Sequence, residues 1–346
     1  MFALESKTKG DTVTNRKVRW GIVSTAGIAQ NAFIPALRQT KRGELVAVAS
    51  RDRARAEAFA AENDIPVVFD DYASMLESDE IDAVYNPLPN SLHAEWTIAA
   101  AKNDKHVFCE KPLAISPAEA QTMVEACKEA GVVFFEAFVF LYHPQTLRLR
   151  EVIDSGRIGR LIQVEAHIAG NIFTRPNIEQ NIRLSKELVG GALMDMGCYP
   201  ITFARFAFAE EPLAVRADCY IHPKFDVDTR DALILNFSDD RQASLMASFH
   251  NTGGQGALIF GEDGFIEVPN PYHPPEQSRF IVHRSDGTET YEFNTGVRPF
   301  APAIEHFHDV ILDGVEPIVT ADNAAGTLAA INAAWESGRT GRRVAL

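Results

Sequence analysis

At 346 residues the chain exceeds one average domain, and 46% hydrophobic against 23% charged residues supplies apolar material for two globular cores. A formal charge of −14 argues against nucleic acid or an anionic membrane as partner, because either would repel this surface. Any anionic cofactor must then be held by cations and backbone N–H groups placed locally.

Residues 1–15 are polar, mixed in charge and without an apolar segment of signal-peptide length, so they read as a flexible arm. No stretch nears the roughly 18 uncharged apolar residues of a membrane span. Cys109, Cys127, Cys198 and Cys219 form no CxxC pair and read as buried thiols of a reducing compartment. The expected location is cytoplasmic.

From residue 16 to 137 short apolar runs alternate with helical periodicity. Strands are expected at 18–23, 45–50, 66–69, 81–85, 106–109 and 132–135, and helices near 27–39, 53–63, 72–77, 92–103 and 117–130. This alternation predicts an α/β domain, a doubly wound parallel sheet of Rossmann type that binds a dinucleotide. Across 138–346 the pattern changes. A helix at 144–155, a strand at 161–169, a polar loop and a helix at 192–208 precede two hairpins, 232–237 with 242–249 and 280–283 with 288–293. Helices at 303–313 and 321–337 close the chain. This half reads as an α+β substrate-binding domain with a mostly antiparallel sheet, its last helices packing back toward the first domain.

The first strand runs into Ser24-Thr25-Ala26-Gly27-Ile28-Ala29, where a phosphate-binding turn belongs. The usual G-x-G-x-x-G/A positions are Ser24, Ala26 and Ala29, and Ala26 adds a Cβ where glycine leaves room. Ser24, Thr25, Ala26 and Ile28 are the candidate contacts; a plain strand-to-helix turn is the other reading. The second strand ends in Ser50-Arg51, with Arg55 one helical turn on. NAD enzymes usually place Asp or Glu there for the ribose hydroxyls, whereas a 2′-phosphate needs positive charge. Ser50, Arg51 and Arg55 therefore favour NADP, with Asp52 read as the N-cap of the next helix. The alternative leaves both arginines as solvated helix-start residues.

The fourth strand ends in Asn86-Pro87-Leu88-Pro89-Asn90, with His93 beyond. Ligands of open α/β sheets sit outside strand carboxyl ends, and two prolines make a rigid loop there. Pro87, Leu88, Asn90 and His93 are thus cofactor candidates, although a helix-start histidine satisfied by backbone competes for His93. Cys109-Glu110-Lys111-Pro112 puts a charged pair at the mouth of a buried strand. Lys111 can donate to a substrate oxygen and stabilise a nearby anion; a structural salt bridge is the rival reading. In Gly190-Gly191-Ala192-Leu193-Met194-Asp195-Met196-Gly197-Cys198-Tyr199, Asp195 and Tyr199 share a helix face. A phenol of pKa about 10 exchanges protons at neutral pH if a lysine stabilises its anion; a buried tyrosine bonded to an aspartate is the plainer alternative. His306-x-His308 lacks a third convergent ligand, so no metal is expected.

Three blocks, Val84-Tyr-Asn-Pro-Leu-Pro-Asn-Ser-Leu-His93, His106-Val-Phe-Cys-Glu-Lys-Pro-Leu113 and the 190–199 segment, resemble the signature blocks of the glucose–fructose oxidoreductase/inositol dehydrogenase (Gfo/Idh/MocA) family, in its order. Ser50-Arg51 and Asn181-Ile-Arg-Leu184 are similar to its NADP-linked D-xylose dehydrogenase and dihydrodiol dehydrogenase branch. The resemblance implies hydride transfer between a nicotinamide and a CH–OH group of a sugar or polyol, with Lys111 and Tyr199 catalytic and Asp195 orienting them. It also implies Glu110 near the nicotinamide, Arg183 near cofactor or substrate, and a homodimer or dimer of dimers through the second sheet. A ketoreductase on an anhydro- or nucleotide-linked sugar would use the same residues, whereas a non-catalytic NADP-binding regulator would be expected to have lost Lys111 or Tyr199. The chain departs from the pattern at Ser24 and Ala26, and at Val189, where a third glycine often precedes Gly190-Gly191.

Overall fold

The structure, a computed structural model, describes residues 16–346, so the arm expected at 1–15 lies outside the described residues. The first sheet has six strands, β1 (Val18–Val23), β2 (Gly43–Ala49), β3 (Val67–Phe69), β4 (Ala83–Asn86), β5 (His106–Cys109) and β6 (Phe134–Glu136). They are joined through α1 (Ile34–Leu37), α2 (Arg53–Glu62), α3 (Tyr72–Glu77), α4 (His93–Lys102) and α5 (Pro117–Ala130). The order is β3-β2-β1-β4-β5-β6 and every neighbouring pair is parallel. β4 is buried at all its positions, as a strand covered on both faces must be. Helix starts follow local chemistry: Asp52, Asp71 and Ser116 each accept a backbone N–H at the N-caps of α2, α3 and α5. The strand order reverses between β1 and β4, and a crevice opens at the carboxyl ends there.

α6 (Pro144–Asp154) leads into a nine-stranded sheet. Its strands are β7 (Leu161–Ala169), β8 (Ala214–Ile221), β9 (Asp228–Asn236), β10 (Gln242–Ser248), β11 (Gly254–Gly261), β12 (Gly264–Val268), β13 (Gln277–Arg284), β14 (Gly287–Asn294) and β15 (Val344–Ala345). The order is β14-β13-β12-β11-β7-β10-β9-β8-β15, and β7 with β10 is the parallel pair in an otherwise antiparallel ladder. Between β7 and β8 runs a helix that opens with a π-type turn (Leu193–Gly197) and continues as α7 (Cys198–Phe208). After β14 come α8 (Ala301–Asp313) and α9 (Ala324–Thr340). α6, α7 and α9 pack against the sheet. Along β9, Asp231, Leu233 and Leu235 are accordingly buried while Arg230, Ala232 and Ile234 face outward.

α8 returns to the first sheet. Phe307 packs among Trp20, Phe108 and Phe135 with ring centroids 5.2, 5.6 and 5.0 Å away. Trp20 Nε1 donates to His308 Nε2 at 3.0 Å, while His306 Nε2 accepts from Ile318 N–H at 3.0 Å. The two histidines of the His-x-His pair thus serve separate packing contacts. Cys109, Cys127 and Cys198 are buried and Cys219 half-buried, all as free thiols. Among the described residues no helix is long and apolar enough to cross a membrane.

Candidate active site

β1 delivers the chain to Ser24 at φ +105°, a backbone conformation open to glycine and rare for serine. Its N–H is tied to Ala49 O at 2.9 Å, while its Oγ is buried without a partner. The helix beyond begins with a π-type turn (Ala29–Phe33), and the first N–H groups of a helix have no carbonyl partner within it. A Cβ on Gly27 would meet nothing nearer than Asn31 Nδ2 at 3.7 Å. An orphaned hydroxyl, unpaired amides and open backbone together fit a pyrophosphate.

At the end of β2, Asp52 caps α2 by accepting Arg55 N–H at 3.2 Å, and Ser50 Oγ accepts Asp52 N–H at 3.2 Å. Arg53 is held by Glu57 and Asp70. Arg51 and Arg55 are exposed and form no ion pair among the described residues. Arg51 neighbours the Tyr72 hydroxyl, and two exposed guanidinium groups outside any ion pair suit a phosphate.

The loop after β4 is braced by Asn86, whose Nδ2 donates to His93 O at 3.2 Å and to Thr97 Oγ1 at 3.3 Å. His93 is fully buried, with Nδ1 3.0 Å from Pro112 O and Nε2 2.8 Å from Leu88 O. Burial lowers its pKa, so the ring is neutral and donates its one N–H to one of these carbonyls while the other nitrogen faces the second; both are turned to backbone between two strand-end loops rather than to a cofactor. Asn90 Nδ2 reaches across to Val189 O at 2.8 Å and ties the first domain's loop to the segment ahead of Asp195.

At the end of β5 the expected charged pair splits. Glu110 accepts the Tyr85 hydroxyl at 2.6 Å, and Tyr85 in turn stacks on Phe33 at 4.0 Å. Burial pushes the Glu110 carboxyl upward, partly offset by Lys111. Lys111 points the other way, and its Nζ donates to the backbone carbonyl of Asp195 at 2.6 Å. That acceptor exists for a local reason. The five-residue bond of the turn runs from Cys198 N–H to Leu193 O; Pro200 has no N–H with which to reach Asp195 in that register, and the same carbonyl has Cys198 Sγ 3.8 Å away.

Two further contacts set the Asp195 region. A Cβ on Gly190 would sit 2.4 Å from Arg183 O, so glycine permits the approach that brings Arg183 Nε to Asp195 Oδ2 at 2.8 Å. Burial opposes ionisation of Asp195, but Arg183 and Lys111 outweigh it and hold its pKa below the usual value. Val189 stands just ahead at φ +55°, a glycine-like conformation in a β-branched residue, so the departure from the family pattern falls at a position where glycine would be at ease.

Tyr199 is 7% exposed, with Lys111 Nζ 4.5 Å from its ring centroid and His273 Nε2 3.1 Å from its hydroxyl. The expectation that Lys111 draws the phenol pKa down is corrected here: burial is the larger effect and pushes it up, with Lys111 offsetting only part. Tyr199 is a neutral phenol at neutral pH. Lys111 is also shifted upward: burial works against its charge, but Tyr199 and Cys198 once ionised at high pH, together with Asp195 and Glu110, outweigh burial, so it stays an ammonium at neutral pH. Desolvation, then the Lys111 charge, lowers the His273 imidazole to about 4, although part of the ring is open to solvent. Asp195 opposes the shift without reversing it.

A cleft of about 470 Å³ gathers Ile28, Pro87, Leu88, Asn90, His93, Glu110, Lys111, Arg183, Asp195 and Tyr199 in its walls. Ser24, Thr25, Ala26, Ser50, Arg51 and Arg55 lie outside it, beyond the carboxyl ends of β1 and β2. A larger hollow of about 1060 Å³ runs over the open face of the second sheet, but none of these residues borders it. Sequence reasoning missed Tyr85, His273, Arg175 and Arg298, all of which contact or line the site. For His273 the signal was available in Pro271-Tyr272-His273-Pro274-Pro275, a stiff loop carrying one polar ring.

A Rossmann sheet whose strand ends open onto a lysine and a phenol is the arrangement of a dinucleotide-dependent oxidoreductase. The chain belongs to the GFO/IDH/MocA family. The family's NAD-binding Rossmann-fold oxidoreductase pattern matches residues 18–138, and its GFO/IDH/MocA C-terminal domain matches 146–267. The chain is 35% identical over 335 residues to D-xylose 1-dehydrogenase (NADP(+)) 2 of Haloferax volcanii, covering 94% of this chain and 99% of that one. It is 33% identical over 284 residues to the dTDP-3,4-didehydro-2,6-dideoxy-alpha-D-glucose 3-reductase of Streptomyces violaceoruber, covering 81% of each. Among solved structures, a 3-ketoreductase from Actinomadura kijaniata in complex with NADP and TDP-benzene superposes with a TM-score of 0.85 at 28% identity, over 93% of this chain and 98% of that one.

Proposed function

We propose that this oxidoreductase uses NADP and acts on a CH–OH carbon of a free aldose or polyol, with D-xylose or a related sugar as the substrate class. The observation that carries the reading is the meeting of Lys111 and Tyr199, 88 positions apart in sequence, in one cleft walled by the loop after β4 at the carboxyl ends of the parallel sheet. Bound NADP supplies the hydride acceptor, or the donor in the reverse direction. Ser24 and the amides at the start of the helix after β1 hold the pyrophosphate, and Ser50, Arg51 and Arg55 hold the 2′-phosphate.

Lys111 donates from Nζ to the reacting oxygen and stabilises the negative charge that grows there. Tyr199 gives its proton to that oxygen during reduction. During oxidation a phenol with a raised pKa is a poor resting base, so Tyr199 gives its own O–H proton to neutral His273, 3.1 Å away, as it takes the substrate's hydroxyl proton, and His273 releases that proton to solvent. Asp195 positions both partners, holding Arg183 with its carboxylate and Lys111 with its carbonyl. Lys111→Ala should lower kcat/KM by about 10²–10⁴ while still binding NADP. Near-full turnover in that variant would reject the mechanism.

A second reading, reduction of a nucleotide-linked ketosugar, is favoured by one observation: Arg175 and Arg298 are exposed on the cleft wall and suit a substrate diphosphate. Turnover measured on free pentoses and on sugar nucleotides, with NADP and NAD in parallel, separates the two. The open face of the second sheet carries apolar Ile234, Met246 and Leu258 among charges of both signs. That mixture suits a two-fold self-contact, so the chain is read as a homodimer through this face.

A further inference from the structure

β9 departs from regular pairing at its start. Tyr220 pairs with Arg230 but Ile221 pairs with Asp228, so Thr229 is an extra residue without a partner in β8. Side chains alternate faces along a strand, and this bulge turns Asp228 from the open face to the covered one, where Asp231 already points. The Asp228 carboxylate is 3% exposed and both its oxygens are used. Oδ2 accepts Leu193 N–H at 2.7 Å, and Oδ1 accepts Trp335 Nε1–H at 2.8 Å. Leu193 opens the turn that carries Asp195; Trp335 belongs to α9. Gly191, at φ +110°, completes the fit, since a Cβ there would lie 2.4 Å from Asp228 Oδ1. Asp231 is 1% exposed, and neither of its carboxyl oxygens receives a hydrogen bond from a protein N–H or O–H donor.

Resting on the reading of Lys111 and Tyr199 as the reacting pair, we infer that Asp228 is a positioning residue that anchors the first turn of the Asp195–Tyr199 helix, and that a protonated Asp231 carboxyl donates to it. With two N–H donors on Asp228 and none on Asp231, the negative charge belongs on Asp228. Two adjoining buried carboxyls do not both ionise. Burial, then the Asp228 charge and the hydrogen bond to Asp228, holds the Asp231 pKa at about 9. From β8, Cys219 faces it with a hydrogen bond that opposes the shift, while Asp218, on the open face, adds to the shift through its charge; α9 presents Trp335. Ionisation of Asp231 sets carboxylate against carboxylate and loosens the anchor. The consequence reaches the chemistry because Lys111 Nζ takes its place from the Asp195 carbonyl in that same turn. A displacement of about 1 Å at a reacting centre can cost about 10²-fold in rate.

Three variants test this. Asp228→Asn offers one acceptor where two are needed and turns an NH₂ toward a donor. It should lower kcat by about 10–100-fold while KM for sugar and Kd for NADP move by less than about threefold. Asp231→Asn keeps a neutral donor, so the fall in kcat expected of the wild type above about pH 9 should shift upward by at least about one pH unit. Lys111→Ala is the control on the parent reading. A folded Asp228→Asn enzyme with wild-type kcat, or an unchanged alkaline limb in Asp231→Asn, overturns the inference; if Asp228→Asn does not fold, the Asp231→Asn profile decides alone. An active Lys111→Ala enzyme sinks the parent mechanism instead.

Discussion

Coenzyme choice can be read from how four neighbouring charges are spent. At the end of β2, Asp52 is occupied with the α2 cap and Arg53 with Glu57 and Asp70, which leaves Arg51 and Arg55 outside any ion pair among the described residues. A hydrogen bond to a charged group contributes about 1.5–3 kcal/mol, and exposure puts these two at the lower end. Since about 1.4 kcal/mol is tenfold in Kd, Arg51→Ala should weaken NADP binding about tenfold and Arg51→Ala/Arg55→Ala about a hundredfold. NAD carries no 2′-phosphate, so its Kd should stay within about twofold. The difference should shrink as salt rises, because the contact is exposed and screened. Titration of each dinucleotide against the quenching of protein fluorescence, at low and high ionic strength, reads all of this. Equal losses for NAD and NADP would show that the arginines support the fold of the turn rather than a phosphate, and the NADP assignment would fall.

Three further outcomes follow from the geometry. Gly190→Ala should destabilise the fold by about 1–3 kcal/mol and raise KM for the sugar, because its Cβ would press on Arg183 O at 2.4 Å; an unchanged melting temperature would refute the close approach. His273 is neutral above its lowered pKa of about 4 and loses proton-accepting ability as pH falls through that value. The oxidation rate should therefore hold down to about pH 5, and a midpoint near the usual imidazole value of about 6.5 would remove His273 from the relay. Ile234→Arg, on the open sheet face, should convert the dimer to monomer in size-exclusion chromatography with light scattering, and a wild-type chain that already runs as a monomer would dispose of the interface.

The parallel sheet was legible because its strands are short apolar runs set between helices with their own caps: 18–23 and 106–109 match the expected bounds. The second sheet was less so. β8 mixes Arg216 and Asp218 with small Ala217 and Cys219, since one of its faces meets no helix. β11 begins Gly254-Gln-Gly, and β12 is five residues long. Such strands are held by neighbours more than by their own preferences, and a single sequence carries little trace of neighbours.

At the site the same division recurs. Charged or phenolic groups at strand and helix ends, such as Lys111, Asp195 and Tyr199, were legible because burial makes those residue types costly without a purpose. What could not be read was which atom each would meet. Glu110 and Lys111 are adjacent yet serve different partners, the Tyr85 hydroxyl and the Asp195 carbonyl, which come from separate elements of the chain. The π-type turn and the glycines at 190 and 191 act as one device. The glycines let Arg183 O and Asp228 approach, and the turn presents the Asp195 carbonyl to the ammonium. Each feature alone reads as an irregularity in a helix; together they set the lysine over the phenol.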